Sequence, residues 1–145
     1  METILAPLPL GTSDFSALRK SGQIYVDKTR LIYTLASKRQ KFFLSRPRRF
    51  GKSLLLSTFE SLFKYGLRDF HGLEIESLWK DENTYQVIRL DFSNLKDFSS
   101  VEEFSELLDQ YLLDTLTVNR LVSPIKTDKE GLRAFIGWLA LQADN

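Results

Sequence analysis

The chain has 145 residues, a net charge of +1, no cysteine and a single histidine. That length suits one domain with a sizeable core, and the near-zero charge requires any attraction to nucleic acid or to a membrane surface to be local. The lack of cysteine excludes disulfides, thiolate metal sites and a cysteine nucleophile, and one histidine argues against the usual zinc sites. No apolar run reaches the ~18 residues of a membrane span, and no basic segment opens a signal peptide, so we expect a cytoplasmic protein without membrane contact.

The first forty residues predict two short helices. One begins after Ser13 or Asp14, either of which can cap it, and ends at Gly22. The other follows Asp27, which is placed to cap it, through the segment DKTRLIYTLASKRQ. Between the two helices, QIYV at 23–26 is a candidate short strand.

A strand, a loop and a helix follow in that order. Lys41–Leu44, KFFL, is a short apolar run of the kind that buried strands show. Ser45–Gly51 is predicted to be a loop, because Pro47 cannot sit in a central strand. A helix is predicted from Lys52, with a face of apolar residues at helical spacing: Leu55, Phe59, Leu62 and Phe63.

The remaining residues predict a second strand and two more helices. Residues 65–79 hold two glycines and predict loop and turn, and Tyr85–Ser93 is the clearest strand. Ser100 and Glu103 form a capping box for a long helix, and a last helix is predicted from Thr127. Strands that alternate with helices predict an α/β fold, in which helices flank a parallel sheet.

The chemistry-bearing motif is the segment Arg46–Ser53, RPRRFGKS. Gly51, Lys52 and Ser53 match the second half of the phosphate-loop consensus G-x-x-x-x-G-K-[ST], whereas Arg46 stands where that consensus has its first glycine. A strand before the loop and a helix after it are the context in which such loops bind phosphate. In that interpretation Lys52 reaches the β- and γ-phosphates of ATP, and the Ser53 hydroxyl binds Mg²⁺.

Two other interpretations stay open. Seven basic residues lie between Lys38 and Lys52, and three phenylalanines interleave them, so this stretch also suits a nucleic-acid-binding module. The basic residues are Lys38, Arg39, Lys41, Arg46, Arg48, Arg49 and Lys52, and the aromatic residues are Phe42, Phe43 and Phe50. The third interpretation is an inert fragment that only interacts with a missing partner.

Four segments give the chain a family resemblance. They are YVDKT (25–29), KFFLSRPRRFGKSLLLSTFESLF (41–63), FHGLEI (70–75) and VIRLDFSNLK (87–96). In this order and spacing they resemble the AAA-ATPase-like family of P-loop proteins, whose usual loop has arginine where the consensus has glycine. The resemblance implies a nucleotide site with ATP and Mg²⁺ as cofactors, formed by Arg46, Pro47, Arg48, Arg49, Phe50, Gly51, Lys52 and Ser53. It leaves the role of YVDKT open between lining the nucleotide pocket and capping the helix that follows.

The resemblance also implies that this chain is incomplete. Hydrolysis of ATP needs a carboxylate after a second strand, the Walker B strand, and the family's segment for it has no counterpart here. Asp91 is a superficial substitute, and we interpret it as a strand-end or turn residue. We therefore expect residues 1–145 to be the N-terminal part of an AAA-ATPase-like P-loop domain, with an extension at 1–39 and a truncated core at 40–145. The later strands are then missing from the sheet, and so are the C-terminal ATPase half and a PD-(D/E)XK nuclease-like domain, through which the full-length protein could act on nucleic acid.

Overall fold

The computed structural model describes residues 6–38 and 40–118, together with positions 137 and 141. The chain divides into two compact units, Met1–Val87 and Ile88–Asn145. The first unit contains α1 (Phe15–Lys20), α2 (Thr29–Ala36), α3 (Lys52–Tyr65), a 3-10 helix (Gly66–Asp69) and α4 (Ile75–Leu78). The second contains a 3-10 helix (Phe92–Asn94) and α5 (Val101–Val118). No helix within these described ranges combines the length and the apolar character needed to cross a membrane.

The helices predicted on described residues are present, but the prediction that Asp27 caps α2 is wrong, because the N-cap of α2 is Lys28 and its side chain makes no capping hydrogen bond. Asp14 caps α1, since its carboxylate accepts a 2.7 Å hydrogen bond from the Ala17 N–H. Helix α3 begins at Lys52 as predicted, and α5 begins after Ser100, whose hydroxyl accepts a 3.1 Å bond from the N–H of Glu103. The helix predicted from Thr127 lies outside the described residues, apart from positions 137 and 141.

The prediction of an α/β fold with a parallel sheet is wrong, because the described residues form helices and no strand. The strand predicted at Tyr85–Ser93 shows why. Its N–H groups find partners other than a neighbouring strand: that of Tyr85 donates to the Phe63 carbonyl at 2.7 Å, and that of Asp91 donates to the Tyr111 hydroxyl at 2.7 Å. Propensity for a strand is local, whereas the pairing that makes a strand is not.

The strand predicted at Lys41–Leu44 is absent for the same reason. No strand forms against it within the described residues, and its side chains are exposed, Phe42 by 51% and Phe43 by 95%. The candidate strand at 23–26 contributes one backbone bond, from the N–H of Ile24 to the carbonyl of Pro7 at 2.9 Å, and no ladder. An apolar run of this length predicts burial in a sheet, and the described residues form no sheet in which it could be buried.

The core of the first unit lies between α1, α2, α3 and the segment that carries α4. It is built from seven buried apolar residues: Phe15, Ile32, Leu62, Phe70, Leu73, Ile75 and Trp79. The ring of Phe15 is fully buried and packs tilted against that of Phe70, with 4.7 Å between centroids. Burial of aromatic side chains of this size supplies most of the energy of a small core.

A polar seam joins α1 to α3 within this unit. The N–H of Phe15 donates a buried 2.9 Å hydrogen bond to the Ser57 hydroxyl on α3. One turn further along, the carboxylate of Asp69 accepts hydrogen bonds from the hydroxyls of Ser16 and Ser61. Because Ser57 follows Ser53 by about one helical turn, this seam holds the chain before α1 beside the beginning of α3.

Candidate phosphate-binding site

Two residues of the loop that leads into α3 have a left-handed backbone conformation. Arg49 has a φ of +66° and Gly51 has a φ of +71°, and residues 41–51 are all exposed. Glycine adopts this conformation without steric cost, whereas it is strained for arginine. Backbone strain of this kind is concentrated at functional sites, where the surrounding structure maintains it.

The side chain of Lys52 folds back across this loop. Its ammonium group donates hydrogen bonds to the carbonyl oxygens of Arg46 and of Pro47, the latter at 3.1 Å. Lys52 therefore binds the backbone of the turn that precedes it. This contact places a positive charge beside the loop, where it would attract an anion.

The beginning of α3 presents free backbone donors beside this charge. Gly51 occupies the N-cap position and has no side chain with which to bind the first N–H groups of the helix. The N–H of Leu55 donates to the Gly51 carbonyl at 2.9 Å, which starts the intrahelical ladder. The preceding N–H groups and the positive end of the dipole of this 14-residue helix favour an anion at this point.

An open cleft of about 720 Å³ lies in front of this helix end. Five of the predicted site residues line it: Arg48, Arg49, Gly51, Lys52 and Ser53. The segment Gly11–Ser13 lines it as well, and the sequence does not indicate this, because the pattern around Ser13 indicates only a helix cap. Pro47 contributes its carbonyl to Lys52, while Arg46 and Phe50 line a different pocket.

That second pocket, of about 360 Å³, is mostly apolar and adjoins the cleft. The two share Gly51 and Leu54. Tyr25 and Val26 of the YVDKT segment line the second pocket, and burial raises the pKa of the Tyr25 phenol. The first unit therefore has a cationic cleft and an apolar pocket that lie next to each other at the loop before α3.

The rest of the YVDKT segment clamps α2 to α4. The carboxylate of Asp27 accepts hydrogen bonds from the N–H of Thr29 at 2.8 Å and from the N–H of Glu74 at 2.8 Å. The fully buried Thr29 hydroxyl accepts a 3.0 Å bond from the N–H of Ile75. Partial burial acts to raise the pKa of Asp27, and the hydrogen bonds from Thr29 and Glu74 lower it below its ordinary value. The YVDKT segment therefore lines the apolar pocket with Tyr25 and Val26 and joins α2 to α4 through Asp27 and Thr29.

Asp91 stands in the second unit as the N-cap of the 3-10 helix at Phe92–Asn94. Its carboxylate accepts a 2.9 Å bond from the N–H of Ser93, which lowers the pKa of Asp91. Among the residues that the structure describes, no carboxylate lines the cleft. The same ranges contain no group of three histidine, aspartate or glutamate side chains that could hold a metal ion.

Comparison with known proteins identifies the family of the chain. The sequence profile of the AAA-ATPase-like family, described as Predicted AAA-ATPase, matches residues 9–139. The chain is 34% identical over 137 residues to the uncharacterized protein in the vnfD 5′ region of Azotobacter chroococcum mcd 1. That alignment covers 94% of this chain and 26% of the relative, so the chain spans about a quarter of the length of the curated relative it matches. No solved structure matches the chain.

The family profile covers most of the chain, and the segment it matches includes both the loop at Arg46–Ser53 and the YVDKT clamp. The chain belongs to the Predicted AAA-ATPase family.

Proposed function

We propose that this chain binds Mg-ATP through the loop Arg46–Ser53, as the N-terminal part of a larger AAA-like ATPase. The observation that supports the proposal most is the convergence of three cationic side chains, a hydroxyl and uncapped helix N–H groups on one cleft. Sites of this composition bind phosphate groups, because the charges and the backbone donors act on the same anion.

Four residues of the site have a defined task in this proposal. Lys52 exchanges the carbonyl oxygens of its own loop for the β- and γ-phosphates, and Arg48 and Arg49 add charge along the cleft. The hydroxyl of Ser53, which follows Lys52 and also lines the cleft, would bind Mg²⁺ in this proposal. The metal neutralises phosphate charge when bound, and the chain supplies position and counter-charge.

The adjoining apolar pocket suits the base of the nucleotide. It shares Gly51 and Leu54 with the cleft, and its lining includes Tyr25, Val26 and Phe50. Ligand pockets combine a largely apolar lining with a few polar groups, and the volume of this pocket, about 360 Å³, is within their usual range. The proposal therefore places the phosphates against α3 and the base against the segment that precedes α2.

Hydrolysis is not part of the proposal for this chain. P-loop ATPases orient water and hold Mg²⁺ with a carboxylate from a second strand, and the described cleft has no such lining group. We propose that the remainder of a longer protein supplies it.

Thermal unfolding with and without Mg-ATP tests the proposal. A ligand at a hundred times its dissociation constant stabilises by about 2.7 kcal/mol, which raises the midpoint of a domain of this size by roughly 3–6 °C. We expect this shift in the wild-type chain and its loss in Lys52→Ala. Lys20→Ala is the matched control, since it removes the same charge from the exposed last turn of α1. A wild-type transition that Mg-ATP does not move would refute the proposal.

A specific observation favours a second candidate function, binding of single-stranded nucleic acid. The ring of Phe43 is 95% exposed beside Lys41 and Arg46, which are exposed as well, while Arg39 lies outside the described residues. Exposed aromatic rings within a basic stretch stack bases and contact the backbone phosphates. This function predicts binding of an oligonucleotide that weakens steeply with salt, weakens further in Phe43→Ala and does not respond to Mg-ATP. Binding that is unchanged in Phe43→Ala would exclude it.

A further inference from the structure

The segment Gly11–Ser13 lines the phosphate cleft although it lies some forty residues before the loop. Gly11 has a φ of +73°, so the chain turns there in a conformation that favours glycine. Thr12 and Ser13 follow that turn directly. The seam between Phe15 and Ser57 holds them beside the first turn of α3.

The two hydroxyl groups are available to a ligand. The Thr12 hydroxyl makes a long bond of 3.4 Å to the side-chain oxygen of Gln23, and within the described residues the Ser13 hydroxyl has no partner. Asp14 is the nearest negative charge in sequence, and its carboxylate is engaged by the N–H of Ala17 in the cap of α1. Hydroxyl donors form stronger bonds to charged oxygens than to neutral ones.

We propose that Thr12 and Ser13 form a second phosphate-binding wall, and that their hydroxyls donate hydrogen bonds to the polyphosphate held by Lys52, Arg48 and Arg49. This inference rests on the proposed function of the cleft. It adds a binding element that no part of the phosphate-loop consensus contains. The buried bond from the N–H of Phe15, the first residue of α1, to Ser57 holds this segment near α3.

Affinities for Mg-ATP and for inorganic triphosphate, measured by titration calorimetry on the 145-residue chain, test the inference. We expect Ser13→Ala to reduce the affinity for both ligands several-fold. We expect Thr12→Val/Ser13→Ala to reduce both affinities by about tenfold or more. The loss of affinity should be similar for the two ligands, because the proposed bonds are to the phosphates, which both ligands have, and not to the ribose or the base. The matched control is Thr34→Val/Ser77→Ala, which removes hydroxyls that donate to backbone carbonyls away from the cleft and should stay within about twofold.

The outcomes separate this inference from the proposed function. If the wild-type chain binds and Lys52→Ala does not, while Thr12→Val/Ser13→Ala binds as the wild type does, the second wall is refuted and the phosphate loop stands. If the double variant loses affinity for Mg-ATP alone, the hydroxyls act on the nucleoside and the inference is wrong. If the wild-type chain binds neither ligand, both proposals fail. Ser13→Ala carries the test by itself if the loss of the Thr12 bond alters folding.

Discussion

The ammonium group of Lys52 lies 3.1 Å from the carbonyl oxygen of Pro47, five residues earlier in the chain. The residue that we propose to bind phosphate is therefore bound to its own loop. A phosphate oxygen carries full charge and competes well against a neutral carbonyl. Ligand binding at this site should exchange one set of bonds for another without moving the helix that carries Lys52.

This exchange predicts that Lys52 matters little to the stability of the ligand-free chain. Its bonds lie on the exposed side of the loop, so Lys52→Met should lower the free energy of unfolding by about 1 kcal/mol or less. Urea unfolding without ligand measures this quantity, with Lys20→Met as the control. A loss of several kcal/mol would mean that Lys52 is a structural residue, and the loss of ligand binding in its variants would then need another explanation.

The strained conformation of Arg49 can be separated from its charge. Asparagine tolerates a φ near the observed +66° better than alanine does, and neither carries a charge. Arg49→Asn and Arg49→Ala should reduce the affinity for Mg-ATP to the same extent. The free energy of unfolding should be higher for Arg49→Asn than for Arg49→Ala, by up to about 1 kcal/mol. Titration calorimetry measures the affinity of the two variants for Mg-ATP, and urea unfolding measures their stability. Equal stability of the two variants would show that the loop relaxes when arginine is removed.

The clamp between α2 and α4 predicts a large cost for a small change. Thr29→Val keeps the shape of the side chain but leaves the buried N–H of Ile75 without an acceptor, so it should cost about 1–3 kcal/mol. Thr29→Ser keeps the hydroxyl and should cost less. Urea unfolding measures the free energies of the two variants, and they can be compared if the dependence of the free energy on urea concentration is unchanged.

The control for the clamp is the ion pair between Arg30 and Glu74, which joins the same two elements at the surface. Its side chains are 65% and 42% exposed, and such pairs contribute about 0–1 kcal/mol. Arg30→Ala should therefore be nearly neutral. A larger cost for Arg30→Ala than for Thr29→Val would contradict the assignment of the buried bonds as the dominant contact.

Asp69 predicts a dependence of stability on acid pH. The Arg68 guanidinium, together with the hydroxyls of Ser16 and Ser61, holds the pKa of the Asp69 carboxyl well below its ordinary value of 3.8. Because the folded state favours the charged form, the stabilisation is fully present above the pKa of the unfolded chain and is lost as the pH falls below it. The free energy of unfolding should therefore decrease below about pH 4.

The matched variant for this dependence is Asp69→Asn, which should be less stable than the wild type at pH 7 and should lose less stability between pH 6 and pH 3. Glu102→Gln, an exposed change in the first turn of α5, should retain the wild-type profile. Urea unfolding at a series of pH values measures all three. Parallel profiles for the wild type and Asp69→Asn would show that the charge of Asp69 is not linked to folding.

What the sequence determined by itself was local. Helical spacing and capping residues placed α1, α3 and α5, because these signals lie within a few residues of each other. The phosphate-loop residues Gly51, Lys52 and Ser53 were recognisable for the same reason, and the structure brings them together with Arg48 and Arg49. These predictions needed no knowledge of distant contacts.

What only the tertiary structure decided depends on contacts between distant segments. The apolar runs at 41–44 and 85–93 suggested strands, but a strand requires a partner, and the described residues supply none. The bond from Ile75 to Thr29 and the approach of Gly11–Ser13 to Lys52 each join residues about forty or more positions apart. The burial of Ser57 has no signal in the sequence, because its hydroxyl is paired with a backbone N–H on another helix. A sequence pattern indicates which conformation a segment favours, and the segment adopts it only where another part of the chain packs or pairs with it.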